Sequence, residues 1–455
     1  MRFGSFRGLV GLLAIALLGM VSLAWLQYFS FSLPAVDFSI FDQMIPNTAR
    51  GHFMMSAACG NCDHFGIHST PILFLFYPFH RLFNHPLFFV TLHAVALWSA
   101  AIPLVLLARR MLDRPWHQFG VLLAFFCSPF LIKILDYQFH PEAFYVPLFL
   151  WFVYLVETKR WKSLWVVAAL ILSVKEDGAI YLSAAALGAL VTRRMRPLQA
   201  IAMIATSVLV FAVNIKWVIP ANSLSGQYHL AGTASKYGNT VGAAVLGMLQ
   251  HWNEVVLDVL KGAWLKKLFH VLFLPLIEPF FLVAVAPFVL IHSIAESRVM
   301  SGLATYYSAP YLPWVFAGFV LVLGKKRISQ QYRSAIILFA VLTSLPAWYP
   351  RHFLCFAELK QRNENFSMLR AQVDPAQSIC AQGVIFPHLG YPERAELLSD
   401  ACITQAMDQY VINPRLDLWP LSPEKVQSMI QNLNADYSYQ RSEFGDFILF
   451  RKTLK

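Results

Sequence analysis

Charge is what this chain has least of. Only 13% of its 455 residues are Asp, Glu, Lys or Arg, about half of the ~25% carried by soluble domains. Water-facing globules, disordered chains and coiled coils all need more, so these classes are excluded. Nucleotide motifs are missing too: no GxxxxGK[ST] and no strand–GxGxxG–helix unit is present. Nor is there a GxSxG elbow. ATP-driven transport and serine hydrolysis therefore lack support. Cysteine is sparse, and the CxxC of Cys59 and Cys62 has no second CxxC to complete a four-thiolate zinc site.

What fills the chain is hydrophobic, at 57% of residues and a mean hydropathy of +0.53. Runs of about 20 apolar residues span ~30 Å of hydrocarbon as helices. Ten candidates occur, at 8–31, 86–108, 118–135, 143–156, 163–174, 178–192, 198–220, 268–292, 306–323 and 331–349. The first follows Arg2 and Arg7 as a signal peptide would. It is longer than an h-region of ~7–15 residues and has no small-residue cleavage site after it, so it reads as a membrane helix. The fold class is a polytopic α-helical membrane protein with about ten transmembrane helices and additional re-entrant or interfacial helices. From Pro350 the composition turns polar, and short apolar runs at 378–386 and 444–451 flank a helix at 423–433. The expected division is a membrane domain over 1–349 and a small water-facing α/β domain over 350–455.

The net charge of +11 is not a nucleic-acid footprint. Residues 351–455 hold 11 basic and 12 acidic groups, so the excess lies in the apolar part. Fifteen of the 25 basic residues there cluster as Arg2 and Arg7; Arg109, Arg110 and Arg114; Lys159, Arg160 and Lys162; Arg193, Arg194 and Arg196; and Lys325, Lys326, Arg327 and Arg333. Each cluster abuts an apolar span, the positive-inside pattern. The N-terminus is then inside, and loops 34–85 and 221–266 and everything after 350 lie outside. Residues 268–292 upset the alternation if they make one crossing, and the prolines around Pro275–Phe280 suggest a broken or re-entrant pair there. Cys59 with Cys62, and Cys380 with Cys402, fall in outside segments and are disulfide candidates.

Polar residues gather in four strings at the outer helix ends, and ionisable groups in such places are functional candidates by default. The first holds Asp37 and Asp42, five residues apart and so roughly 140° out of phase on a helix. The second holds Asp63, His64 and His68, with the histidines at the i, i+4 spacing of one helix face. The third runs from Asp136 through His140 to Glu142, and the fourth is Lys175, Glu176 and Asp177. Asp42, His64 and His68 are candidate metal ligands, and a divalent cation, Mg or Mn, is what they would take. Against the functional reading, Lys175 and Glu176 would form only a local ion pair. Tyr228, His229, Lys236 and Tyr237 in the late outside loop suit contact with sugar or headgroup.

DFSIFDQ (37–43), HFGIHSTP (64–71), FHPE (139–142), VKED (174–177), YYSAP (306–310) and FPHL (386–389) together resemble the bacterial and archaeal membrane-protein family known as domain of unknown function 2079. The chain departs from that family at Tyr306, where His is common. More broadly it is similar to the GT-C superfamily of integral-membrane glycosyltransferases, which take sugars from polyprenyl-phosphate carriers. The resemblance implies that Asp37 is a general base for an inverting transfer to a glycan, lipid or protein acceptor of the envelope. It places the protein in the cytoplasmic (inner) membrane, with membrane lipids around it and no nucleic-acid partner. Lys175 and His140, joined by Arg351 and His352, are expected at the leaving phosphate. Asp42, His68, Glu142 and Glu176 are expected around the substrates. The alternative is a transporter or flippase for a lipid-linked or anionic solute.

Overall fold

The computed structural model describes residues 2–33, 35–59, 62–226, 236–238, 240–345, 356–390, 392 and 394–453. In hydrocarbon each backbone N–H and C=O needs a partner within its own segment, which makes the apolar runs helical. Arg7–Phe29, Leu87–Met111 and Pro197–Asn222 are long and apolar enough to cross a membrane. Pro115–Phe126 with Pro129–Asp136, bent by 42°, and Arg298–Ser308 with Leu312–Leu323, bent by 70°, are two broken pairs. The first bend has a local cause. Pro129 cannot continue the preceding helix, and Ser128 caps a new one by accepting from the Phe130 N–H. Where about ten spans were expected, length and composition alone give three among the described residues, or five with the broken pairs. Trp161–Val174, Gly178–Val191 and Pro279–Ile294 are apolar but shorter, and a protein-lined surround lets such helices stop inside the bundle.

Polar side chains separate the bundle into two ends. At one end Arg194 binds both Glu157 and the buried Glu278, and Lys325 sits 3.2 Å from Glu278. Arg333 donates to the Lys325 carbonyl at 3.1 Å. Basic clusters distant in sequence thus converge on one end. Contacts with helix Leu312–Leu323 also trace residues 268–292, an irregular stretch followed by a helix that runs back, in line with the broken or re-entrant pair expected around Pro275–Phe280. Trp264 accepts from Tyr311 beyond the start of Leu312–Leu323, Pro275 lies against Gly318, and Lys325 reaches the Ile277 carbonyl. The irregular stretch is made of the 3₁₀ turns Phe269–Val271 and Leu274–Ile277. Leu268 and Val271 are fully buried, and enclosure by protein is what makes irregular backbone tolerable at that depth. Helix Pro279–Ile294 then starts at Glu278 and returns.

At the other end sits a five-stranded sheet in the order Ala395–Leu397, Ile379–Ala381, Gln409–Ile412, Phe447–Lys452, Tyr439–Phe444. The first three strands are parallel to one another, and Phe447–Lys452 pairs antiparallel with both of its neighbours. Strand alternation divides its side chains between two cores. Val411 and Leu449 meet Phe366 and Leu369 of helix Phe356–Arg370, while Tyr410, Ile412, Ile448 and Phe450 meet Val426 and Met429 of helix Pro423–Ala435. A disulfide joins Cys380 to Cys402, and another joins Cys59 to Cys62. The sheet unit is fastened to the first helix. Phe31, held at a φ of 58°, inserts into the core containing Phe366 and Phe447 and stacks on His388. Asn363 and Arg362 donate to the carbonyls of Phe29 and Ser30 at 2.8 and 3.1 Å, satisfying groups that a helix C-terminus leaves open.

Candidate active site

Asp37 lies in the first turn of helix Ala35–Ala49. Tyr137 donates to its Oδ2 at 2.6 Å, and His140 Nε2 is 3.8 Å from the same oxygen. The Asp37 side chain is 30% exposed, so the carboxylate stays reachable. His140 Nδ1 in turn binds Glu142 Oε2, and Lys175 Nζ binds Glu142 Oε1 at 2.9 Å. Asp37, His140, Glu142 and Lys175 therefore form one continuous chain across three connections of the bundle. Burial by itself would raise the Glu142 carboxyl, but the His140 and Lys175 charges outweigh it and hold it well below the usual carboxylate range. Burial would likewise lower Lys175, and Glu142, Asp177 and Glu176 reverse that and keep the ammonium charged.

Beside this chain Glu176 accepts from His68 Nδ1 at 2.8 Å and from the Ser69 N–H at 3.0 Å. That pairing leaves His68 Nε2 free of the carboxylate and its side chain 36% exposed. Asp177 accepts from Tyr145 Oη at 2.6 Å. The packing needs glycine next to it, because a Cβ on Gly178 would lie 2.8 Å from Tyr145 Oη and 2.5 Å from the Ile171 carbonyl. Burial, partly offset by Lys175, lifts the Asp177 carboxyl to about 6. The folded protein then holds a proton that the unfolded chain, with an acid of 3.8, releases. Stability should fall as pH rises from about 4 to 6, by up to about 3 kcal/mol. Melting temperatures of wild type and Asp177→Asn across that window check this, with a flatter profile expected for the variant.

His68, Glu142, Lys175, Glu176 and Asp177 line one end of a cavity of about 390 Å³. Its remaining walls are mostly apolar, among them Ile180, Phe211, Val245, Met248, Leu290 and Ile291. Asp37 and His140 do not border it. Tyr306 does, and it stacks on the His140 ring at 3.5 Å between centroids. The cavity thus has an ionic head, an apolar body and an aromatic partition toward Asp37.

Several sequence expectations change. Asp42 does not border the cavity at Lys175. It is 1% exposed and bound to His80 at 2.8 Å, because five helical positions turn it away from Asp37. His64 and His68 do not share a helix face, since only the 3₁₀ turn His64–Gly66 forms there. His64 pairs with Thr70 at 2.9 Å and His68 with Glu176. Burial, with the neighbouring His68 charge, lowers the His64 imidazole to about 3. Asp42, His64 and His68 therefore do not form a metal-ligand set, and the described residues hold no group of three or more His, Cys, Asp or Glu fit for one. Lys175 pairs with Glu142 in place of its chain neighbour Glu176. Arg351, His352, Tyr228 and His229 lie outside the described residues. The roles of Tyr137, Tyr145 and Asp177 went unread, although Tyr137 and Asp177 stand inside the polar strings.

Comparison with known proteins agrees with this architecture. The structure of ArnT from Cupriavidus metallidurans bound to undecaprenyl phosphate superposes with a TM-score of 0.51 at 10% identity, over 97% of this chain and 98% of that one. At that identity the likeness is one of fold, the GT-C-like fold that the sequence strings implied. No curated protein matches the sequence. The family described as "Predicted membrane protein (DUF2079)" matches residues 27–446, and the chain belongs to that family.

Proposed function

We propose that the protein is an integral-membrane glycosyltransferase that moves a sugar from a polyprenyl-phosphate carrier to an envelope acceptor, with inversion, on the outer face of the cytoplasmic membrane. One observation carries the reading: a cavity with an apolar body and an ionic head, where Lys175 and His68 stand among Glu142, Glu176 and Asp177, next to a reachable carboxylate at Asp37. An apolar body suits a polyprenyl chain and the head suits its phosphate, and the ArnT structure of similar fold is bound to undecaprenyl phosphate. Converged basic clusters support an inside position for their end of the bundle, which leaves the site end and its sheet unit outside.

In the transfer, an acceptor oxygen bonds to the anomeric carbon as its proton passes to Asp37. The bond from that carbon to the phosphate oxygen breaks, and the electron pair leaves on the phosphate. Near neutral pH a hydroxyl needs such a base. Negative charge growing on the phosphate needs a preorganised cation or donor, and Lys175 and His68 stand at the cavity head for it. Tyr306 borders the cavity and stacks on the His140 ring beside Asp37, at the place where donor and base would meet. The partners of Asp37 belong to the same design. Tyr137 orients the carboxylate, and His140 stabilises its charge before the proton arrives.

Native mass spectrometry of detergent-purified protein tests the donor. A polyprenyl-phosphate sugar is expected to bind in preference to bulk phospholipid and to be consumed when an envelope glycan acceptor is added. Binding without consumption, together with labelling of cysteines at 140 and 175 from alternating sides, would replace the transferase with a transporter.

A further inference from the structure

Asp42 is the motif carboxylate that glycosyl transfer leaves unused. It fixes His80 through Nε2, and His80 Nδ1 has no hydrogen-bond partner although the residue is 2% exposed. His80 borders a second cavity, of about 230 Å³, between the end of helix Ala35–Ala49 and the short helix Tyr77–Phe83. Its other polar walls are Arg50, Arg81, Tyr77 and Asn84, and no carboxylate lines it. Two guanidinium forks, a phenol and an amide around one small space match the oxygens of a phosphate group, to which arginine binds in bidentate fashion.

The surface beside this cavity is apolar. Phe79, Leu82 and Phe83 of the short helix are 54%, 78% and 66% exposed, and Phe74 and Leu75 just before it are exposed as well. A short helix with an outward apolar face and cations at its flank is the arrangement of an interfacial segment. An anion reaching these arginines therefore arrives at the level of lipid headgroups.

We propose that this second cavity binds the phosphate of a membrane phospholipid headgroup. Arg50 and Arg81 hold the charge, Asp42 holds the His80 ring as the buried floor, and Phe79, Leu82 and Phe83 lie along the acyl chains. The site is separate from the Lys175 cavity and does not depend on the transferase reading. It also gives Asp42 a purpose within the DFSIFDQ string.

Dioctanoyl phosphatidylglycerol, titrated into the full chain in detergent and followed by native mass spectrometry, tests this against inorganic phosphate. The lipid is expected to bind, with affinity at least tenfold lower in the Arg50→Ala/Arg81→Ala double variant and several-fold lower in His80→Gln. Asp37→Asn should bind the lipid as wild type does, and lipid binding by a wild-type chain that transfers no sugar would count against the transferase reading alone. Equal affinity in the double variant overturns the site. Displacement of the lipid by equimolar inorganic phosphate overturns the lipid as the ligand's source. Both arginines are exposed, so the double variant should fold. Should its melting temperature drop, Arg50→Gln/Arg81→Gln is read by the same criteria.

Discussion

Asp37→Asn is expected to cut turnover by ~10²–10⁴-fold, the range that a positioned general base supplies. Asparagine keeps the shape of the side chain and an oxygen able to accept from Tyr137, which now sits 2.6 Å from Asp37 Oδ2. What it loses is the ability to take a proton. Asp37 does not border the donor cavity, so the donor KM should stay near that of wild type while kcat falls. That split identifies an interaction made in the transition state and not in binding. Turnover of a polyprenyl-phosphate sugar into an envelope glycan, measured with donor varied, is the assay. Wild-type turnover in Asp37→Asn would sink the mechanism.

Lys175→Met should be the most destabilising single change in the site. It leaves Glu142, 5% exposed as a side chain, with only the His140 partner. Breaking a buried ion pair from one side costs about 3–5 kcal/mol, whereas replacing both partners with neutral groups of similar size is close to neutral. The Lys175→Met/Glu142→Gln double variant should therefore recover most of the melting temperature. It should not recover donor binding, because the cation at the cavity head is still absent. Native mass spectrometry beside thermal melts separates the two effects. Recovery of binding with recovery of stability would make Lys175 a structural lysine only.

The polar strings were legible because charge is expensive in an apolar chain, so the few places that carry it stand out. Asp37, His140, Glu142 and Lys175 were readable from that alone, and the structure links them in one chain. Their partners were not readable. Glu142 and Lys175 lie 33 positions apart, at the two open ends of the hairpin of helices Tyr145–Thr158 and Trp161–Val174, and the packing of that hairpin brings them to 2.9 Å. The neighbouring Glu176 was the obvious local partner, yet adjacent side chains on a turn diverge, and Glu176 goes to His68. Asp42 shows the opposite error. Its phase, about 140° from Asp37, was readable, but it was expected around the substrates, and the packing sends it to His80.

By itself, the sequence determined the class of molecule and the inventory of its site. Apolar length forces helices, basic clusters mark one set of loops, and scarce acids and histidines mark the other. Tertiary structure alone decided how those residues pair, which segments residues 268–292 pack against, and that Asp42 goes to His80. The physical reason is range. Hydropathy and helix phase act within a few residues, whereas ion pairs, stacking on Tyr306 and enclosure of irregular backbone depend on which distant segments meet.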